Sequence, residues 1–507
     1  MPGGTGPERV AGPGGAGHER VAGLAVRERT GYPRVFVLRG GDPGTLAGQL
    51  DVIEASAVVL TDDGLEGLSR QLAADARQTR SGQTRSGQAG SGQAGNGQVS
   101  DRPAALRVAL TAAGPHQLAR LAGEAAQLLR TDPPAAGLAG RPDMRVSAGA
   151  CGAVVVLFPG RAEAPAGQPA LLAASLEALG TLDAFGVRPT TGVGYSLGEI
   201  TGLAWAGCVP AAEAARLVAQ CGQVLRACAG GTAAMARVVA DGDLARALGA
   251  PGRLDIAAYE GPRTHVLAGS TAGVRELTRR AAMLKVPVEV LDSAAPMHSS
   301  GLARCASPLR SVLAATSFAP PRRRLVSTIT GRLVTPEDDL ASLLAAQVTR
   351  PVLFAQAMAQ AARAADLIVI AGPDAGLADR AAECGGVPAV AIPAGRGALA
   401  LPDTPAGRGG GAGPGLPRPG LPRLARPGIA RPGPGQMALA QAVAALFAAG
   451  AITDLEPYLG RARATAPGGT LASRTVPRMR PAEPLAPARP PASRVPGHPA
   501  SPARAPG

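Results

Sequence analysis

The chain has 507 residues, 46% of them hydrophobic but only 2% aromatic, and a formal net charge of +14. That length allows a sizeable core, which must be built from Ala, Leu and Val, and about two to four domains. The charge does not define a nucleic-acid binder: from residue 401 onward 13 arginines stand against 4 acidic residues, so this region alone supplies +9. Its arginines alternate with Pro and Gly and have no aromatic stacking partners, the composition of a solvated, disordered tail whose charge can attract an acidic partner. No apolar run is long enough to span a bilayer, and the first residues lack the apolar core of a signal peptide. Six scattered cysteines form no Cys-x-x-Cys pair. Free thiols in a reducing cytoplasm are the expectation, with neither nucleic acid nor membrane as a partner.

In chain order, residues 1–32 are Gly/Pro-rich and read as disordered. Residues 33–146 carry short strand patterns and two helical patterns, Leu65–Arg77 and His116–Leu129. An imperfect Gln/Thr/Arg/Ser/Gly repeat makes 78–100 a flexible insert within them. Residues 151–400 alternate strand and helix, which predicts a parallel α/β core. A Pro/Gly/Arg linker at 401–435 follows, then a helical segment at 436–463 that includes Met437–Phe447, and 464–507 is again expected to be disordered.

Gly194-Tyr195-Ser196-Leu197-Gly198 is a Gly-x-Ser-x-Gly sequence, followed by the apolar run Ile200–Ala206. Strand, sharp turn and helix form the setting of a nucleophile elbow, with the serine oxygen exposed where helix N–H groups can stabilise an oxyanion. A serine hydroxyl needs a base to take its proton, and imidazole titrates near working pH. Of the five histidines, His18 and His498 lie in Gly/Pro-rich ends, His116 lies in an upstream helical pattern, and His265 alternates within a strand-like run. His298 follows a strand in a loop. Residue type and position alone leave its role open.

Several landmarks around the elbow carry a resemblance. They are Val154–Gly160 with its Phe-Pro-Gly turn, Gln168-Pro169-Ala170, Gly194–Glu199, Ala233–Val238, Ile256–Gly269, Ala295–Ser299, Gln347–Phe354 and Val369–Pro373. In this order the chain resembles the acyltransferase domains of modular polyketide synthases and the malonyl-CoA:acyl-carrier-protein transacylases. The resemblance implies a hydrolase-like parallel-sheet core with a ferredoxin-like subdomain inserted at about 236–292. Before it would come a small α/β segment like the ketosynthase-to-acyltransferase linker, and after it a linker that wraps back over the core.

By the same resemblance, Ser196 is the nucleophile and His298 its base, with backbone carbonyls rather than an acidic residue orienting the histidine. The oxyanion donors would be the backbone N–H groups of Leu197 and Arg161, and Gln347 would support the histidine. An acyl group would pass from coenzyme A to Ser196 and on to the phosphopantetheine thiol of an acyl carrier protein, without a metal or a bound cofactor. With no ketosynthase or carrier motif in the sequence, the expectation is action in trans, with a ketosynthase as a further candidate partner.

Four departures qualify the match. Tyr195, expected to line the substrate pocket with Cys221 and Met297, replaces the family's usual histidine, Glu260 its usual asparagine, and the segment between Gly160 and Gln168 is short. Cys221 stands where malonyl-type enzymes carry an arginine that pairs with the extender carboxylate. Met297, beside His298, is a bulky pocket residue that disfavours branched extenders. Two other readings stay open: a catalytically impaired docking domain derived from this family, and a Ser–His thioesterase or esterase.

Overall fold

The structure is a computed structural model that describes residues 32–85, 105–134, 137–160, 167–228, 233–291, 295–373, 375–393 and 434–465. Strands β1 (Arg34–Gly40), β2 (Leu106–Ala112), β3 (Gly137–Arg141) and β4 (Met144–Ala148) form an antiparallel sheet in the order β1-β2-β4-β3. Helices α1 (Pro43–Ala57) and α3 (Pro115–Thr131) pack on one face of it through Leu46, Leu50, Leu118, Leu121 and Leu129. Helix α2 runs Asp62–Arg85, eight residues past the end expected at Arg77. Gln and Arg are good helix formers, so the repeat begins inside the helix. The expectations for 1–31, 86–100, 401–433 and 466–507 lie outside the described residues.

The second unit begins with β5 (Val154–Phe158), α4 (Gly167–Ala184), β6 (Thr191–Gly194), α5 (Gly198–Ala206) and α6 (Ala211–Cys228). An inserted unit follows: β7 (Ala233–Val239), α7 (Gly242–Gly249), β8 (Asp255–Tyr259), β9 (Thr264–Ser270), α8 (Thr271–Met283) and β10 (Val288–Leu291). Its sheet order is β10-β7-β9-β8, antiparallel throughout, which with the βαββαβ chain order is the ferredoxin-like arrangement. The chain then returns through α9 (Ala306–Ala314), β11 (Arg324–Ser327), β12 (Arg332–Leu333), α10 (Leu340–Ala346), α11 (Phe354–Ala362), β13 (Leu367–Ala371), α12 (Ala375–Gly385) and β14 (Ala389–Ile392).

The central sheet has the order β12-β11-β6-β5-β13-β14, parallel except for β12. Helices cover both faces, so β5 (VVVLF) and β13 (LIVIA) are buried along their whole lengths, the continuous apolar reading of parallel strands. Val156 and Phe158 pack on one side and Val155 and Leu157 on the other. The α/β class, the parallel core, the inserted ferredoxin-like unit and the preceding small α/β unit agree with the sequence reading.

The helical segment expected at 436–463 is two helices, α13 (Pro434–Ala448) and α14 (Glu456–Thr465). Helix α13 lies across β1, β2 and β4 and reaches β14, joining the two units. Nearly every side chain from Leu439 to Ala448 is buried, the pattern of a helix covered on all sides. Three bonds hold this C-terminal segment on the first unit: Ser147 Oγ donates to the Ala448 carbonyl, Tyr458 Oη donates to the Pro33 carbonyl at 2.6 Å, and Arg77 pairs with Asp454 at 2.8 Å. No helix among the described residues is long and apolar enough to cross a membrane.

Candidate active site

Strand β6 ends at Gly194 and α5 starts at Gly198, so three residues reverse the chain. A Cβ on Gly198 would stand 2.0 Å from the Phe158 carbonyl oxygen, and one on Gly194 would stand 2.6 Å from Glu199 Cα. Only glycine lets β5, β6 and α5 approach this closely. Ser196 sits at the tip with φ 53°, a left-handed conformation that costs a non-glycine residue about 1–3 kcal/mol. The turn holds it there: Tyr195 N donates to Phe158 O at 3.0 Å, Gly198 N to Tyr195 O at 2.8 Å, and Glu199 N to Ser196 O at 2.9 Å. The Leu197 N–H is engaged by no described residue and lies at the start of α5.

His298 comes from the loop after β10 and is 6% exposed, with φ 61°. Its Nδ1 lies 2.7 Å from the Gln347 main-chain oxygen, just past the end of α10, and its Nε2 lies 2.7 Å from Ser196 Oγ. A carbonyl only accepts, so Nδ1 carries the proton and Nε2 presents its lone pair to the Ser196 hydroxyl, which donates to it. Burial holds the imidazole below its ordinary value, against the opposing pull of the Gln347 and Arg350 carbonyls, so the neutral base persists to lower pH. The contribution of Gln347 is therefore its main chain; its side-chain oxygen is buried without a hydrogen-bond partner among the described residues.

Glu199, 1% exposed, lies beneath the elbow and accepts from Thr328 N at 2.6 Å and Thr328 Oγ1 at 2.8 Å. Burial raises its carboxyl to about 7 despite these bonds. They clamp α5 to the end of β11, a role the sequence pattern did not separate from the motif itself.

The other expected site residues are distributed around this pair. Tyr195 packs edge-on against Phe354 with ring centroids 5.2 Å apart. Met297 is half-buried and touches the apolar clusters on both sides of the central sheet. Cys221 is buried in α6, where desolvation pushes its thiol up to about 11. Arg161 lies outside the described residues. His265 is buried in β9 against Tyr259, away from the elbow, as a structural histidine would be.

An elbow serine hydrogen-bonded to a carbonyl-anchored histidine, on a parallel sheet with a ferredoxin-like insert, defines the class of α/β acyl-transferring folds. Residues 126–377, about half of the chain, match the family model of the acyl transferase domain. Relatives include the polyketide synthase GfsB of Streptomyces halstedii, 30% identical over 214 residues, which are 41% of this chain and 4% of that protein. The erythronolide synthase of Saccharopolyspora erythraea is 33% identical over 195 residues, 38% of this chain and 5% of that protein. The chain thus spans only a small part, 2–12%, of the length of the curated relatives it matches. Among solved structures, the acyltransferase domain of the iterative polyketide synthase in enediyne biosynthesis matches with a TM-score of 0.62 and 26% identity, covering 84% of this chain and 98% of that one. The acyltransferase domain from module 8 of the salinomycin polyketide synthase shares the fold at a TM-score of 0.54 and 18% identity, covering 71% of this chain and 90% of that one.

Proposed function

We propose that this chain transfers an acyl group from coenzyme A, through an ester on Ser196, to the phosphopantetheine thiol of an acyl carrier protein in polyketide or fatty-acid biosynthesis. The observation that carries this reading is the 2.7 Å contact between Ser196 Oγ and His298 Nε2, with Nδ1 anchored on the Gln347 carbonyl. His298 takes the Ser196 proton as Oγ attacks the thioester carbonyl. The tetrahedral oxyanion lies against the Leu197 N–H, with the Arg161 N–H proposed as the second donor. Collapse expels the coenzyme A thiolate, which leaves as the thiol after taking the proton from His298. The carrier thiol then repeats these steps in reverse: His298 takes its proton, and Ser196 is restored. The six cysteines are unpaired, which supports a reducing, cytoplasmic setting for the proposal.

Transfer and hydrolysis distinguish this reading from a thioesterase. Acyl-enzyme mixed with a phosphopantetheinylated carrier protein should lose its acyl group to the carrier thiol faster than to water. Release of free acid at the same rate with and without carrier would identify a thioesterase instead.

The acyl preference depends on Cys221. It is buried and carries no charge, so a free carboxylate on the acyl group meets no cation from this position. Wild type is expected to discriminate only weakly between malonyl-CoA and acetyl-CoA. Cys221→Arg should shift the ratio toward malonyl by about ten- to a hundredfold, the weight of a charge-assisted bidentate pair. Acyl-enzyme formation with both thioesters measures it. A wild-type preference for malonyl of several hundredfold would show that another cation holds the carboxylate. Arg226, whose guanidinium folds back over Gly222 beside Gln168, is then the first residue to replace.

A further inference from the structure

Tyr195 and Glu260, two of the residues at which the chain departs from the family's pattern, meet in space. The Tyr195 hydroxyl donates to Glu260 Oε1 at 2.6 Å. Glu260 lies in the β8–β9 turn of the inserted unit and is 2% exposed. Its other carboxylate oxygen accepts from Arg237 Nε on β7 at 2.7 Å, and Arg380 Nε on α12 is 3.7 Å from it. Burial would raise this carboxyl, but the bond and charge of Arg237, the charge of Arg380 and the Tyr195 bond together outweigh it and hold the group below the ordinary range. The Glu260 main chain is fixed as well: its N–H donates to Thr264 O at 2.9 Å, and its carbonyl accepts from Cys384 Sγ at 3.3 Å.

At the other end, the Tyr195 main chain is part of the elbow, bonded to Phe158 and Gly198. The phenol therefore spans from the residue next to Ser196 to the inserted unit. The histidine segment is tied to the same unit: Ser300 N and Ser300 Oγ donate to Asp255 Oδ2 on β8 at 2.8 and 2.6 Å. Between these ties, Val352 N donates to Ala257 O and Tyr259 N donates to Val352 O, both at 2.9 Å, stitching β8 to the core. Burying a carboxylate costs several kcal/mol unless it is paired, and such satisfied networks rigidify what they join.

We propose that Tyr195 and Glu260 form a buried strut through which the inserted ferredoxin-like unit positions Ser196, as Asp255 and Ser300 position the His298 segment. Both strut residues are positioning residues; neither touches the reacting atoms. The inference rests on the reading of Ser196 as the acyl-carrying residue.

Tyr195→Phe, Glu260→Gln and the double variant test it through two reactions. The first is phosphonylation of Ser196 by a fluorophosphonate, which reports the reactivity of the Ser–His pair without any acyl-CoA recognition. The second is single-turnover acylation by acyl-CoA across a concentration series. Each single variant should slow both reactions by about tenfold, on the scale of a relaxed positional constraint. Half-saturation by acyl-CoA should change by less than about twofold, because the strut holds Ser196 rather than the acyl-CoA. The double variant should be no slower than the slower single, since either change breaks the same strut. Tyr195→Phe leaves Glu260 on Arg237 and should remain folded, so it decides the matter if Glu260→Gln does not fold. Wild-type reactivity of Tyr195→Phe toward the fluorophosphonate, or multiplying effects in the double variant, would overturn the strut. Wild type that reacts with the fluorophosphonate but not with any acyl-CoA would overturn the acyltransferase reading alone, and the strut is then decided by phosphonylation. Wild type inert toward both reagents overturns both.

Discussion

His298→Ala slows esterification of Ser196 by about 10²-fold or more, the weight of a positioned general base. The expectation follows from geometry: the imidazole Nε2 is 2.7 Å from Ser196 Oγ, and the Gln347 carbonyl fixes the tautomer that accepts its proton. Single-turnover acylation of wild type and variant at saturating acyl-CoA measures it. The pH profile gives a second readout. In the proposed mechanism the base is the neutral imidazole, and burial lowers its pKa, so the rate should fall only as pH drops through a value below the ordinary 6.5. Glu199, raised to about 7, lies under the same turn. A limb that vanishes in His298→Ala belongs to the histidine. A limb that survives there at unchanged position belongs to Glu199, and His298 is then not the base that the profile reports.

Gly198→Ala should cost about 3 kcal/mol or more of stability and abolish ester formation. The new Cβ would stand 2.0 Å from Phe158 O and 2.7 Å from Phe158 C, both main-chain atoms that cannot rotate away. Phe158 O also accepts the Tyr195 N–H at 3.0 Å, so relief of the clash pulls β5 away from the elbow itself. Overpacking against flexible side chains costs about 1–3 kcal/mol, and a rigid backbone contact belongs above that range. Denaturant unfolding of wild type and variant measures the difference in midpoint. An unchanged midpoint would mean that the elbow is looser than its contacts require.

The elbow was legible in the sequence because its requirements are local. Two glycines flank a serine between a strand and an apolar helix, and each has a steric reason that one sequence can carry. The parallel core was legible for a similar reason: Val154–Phe158 and Leu367–Ala371 are continuous apolar runs, as strands covered on both faces must be. The partnership of Ser196 with His298, 102 positions apart, was reached only through the resemblance, because no local rule brings distant residues together. Gln347 was expected to act in support of His298. The structure makes that support a backbone carbonyl, which the sequence shows only as a peptide bond like any other. Tyr195 and Glu260 were noted as separate departures. That they form one hydrogen bond depends on how the inserted sheet docks, which follows from long-range topology rather than from either residue's surroundings in the chain. The reach of α2 to Arg85 was not legible, because Ser81 and Gly82 are weak helix formers that the helix nevertheless spans.

The proposal that acyl groups pass through Ser196 is tested most directly by intact-mass and peptide-mapping analysis of the protein after incubation with a panel of acyl-CoAs. The expected result is a mass increase equal to one acyl group, confined to the peptide containing Ser196, absent in Ser196→Ala and removed by a phosphopantetheinylated carrier protein. Equal labelling of wild type and Ser196→Ala, or an acyl group mapped to any other residue, would contradict it.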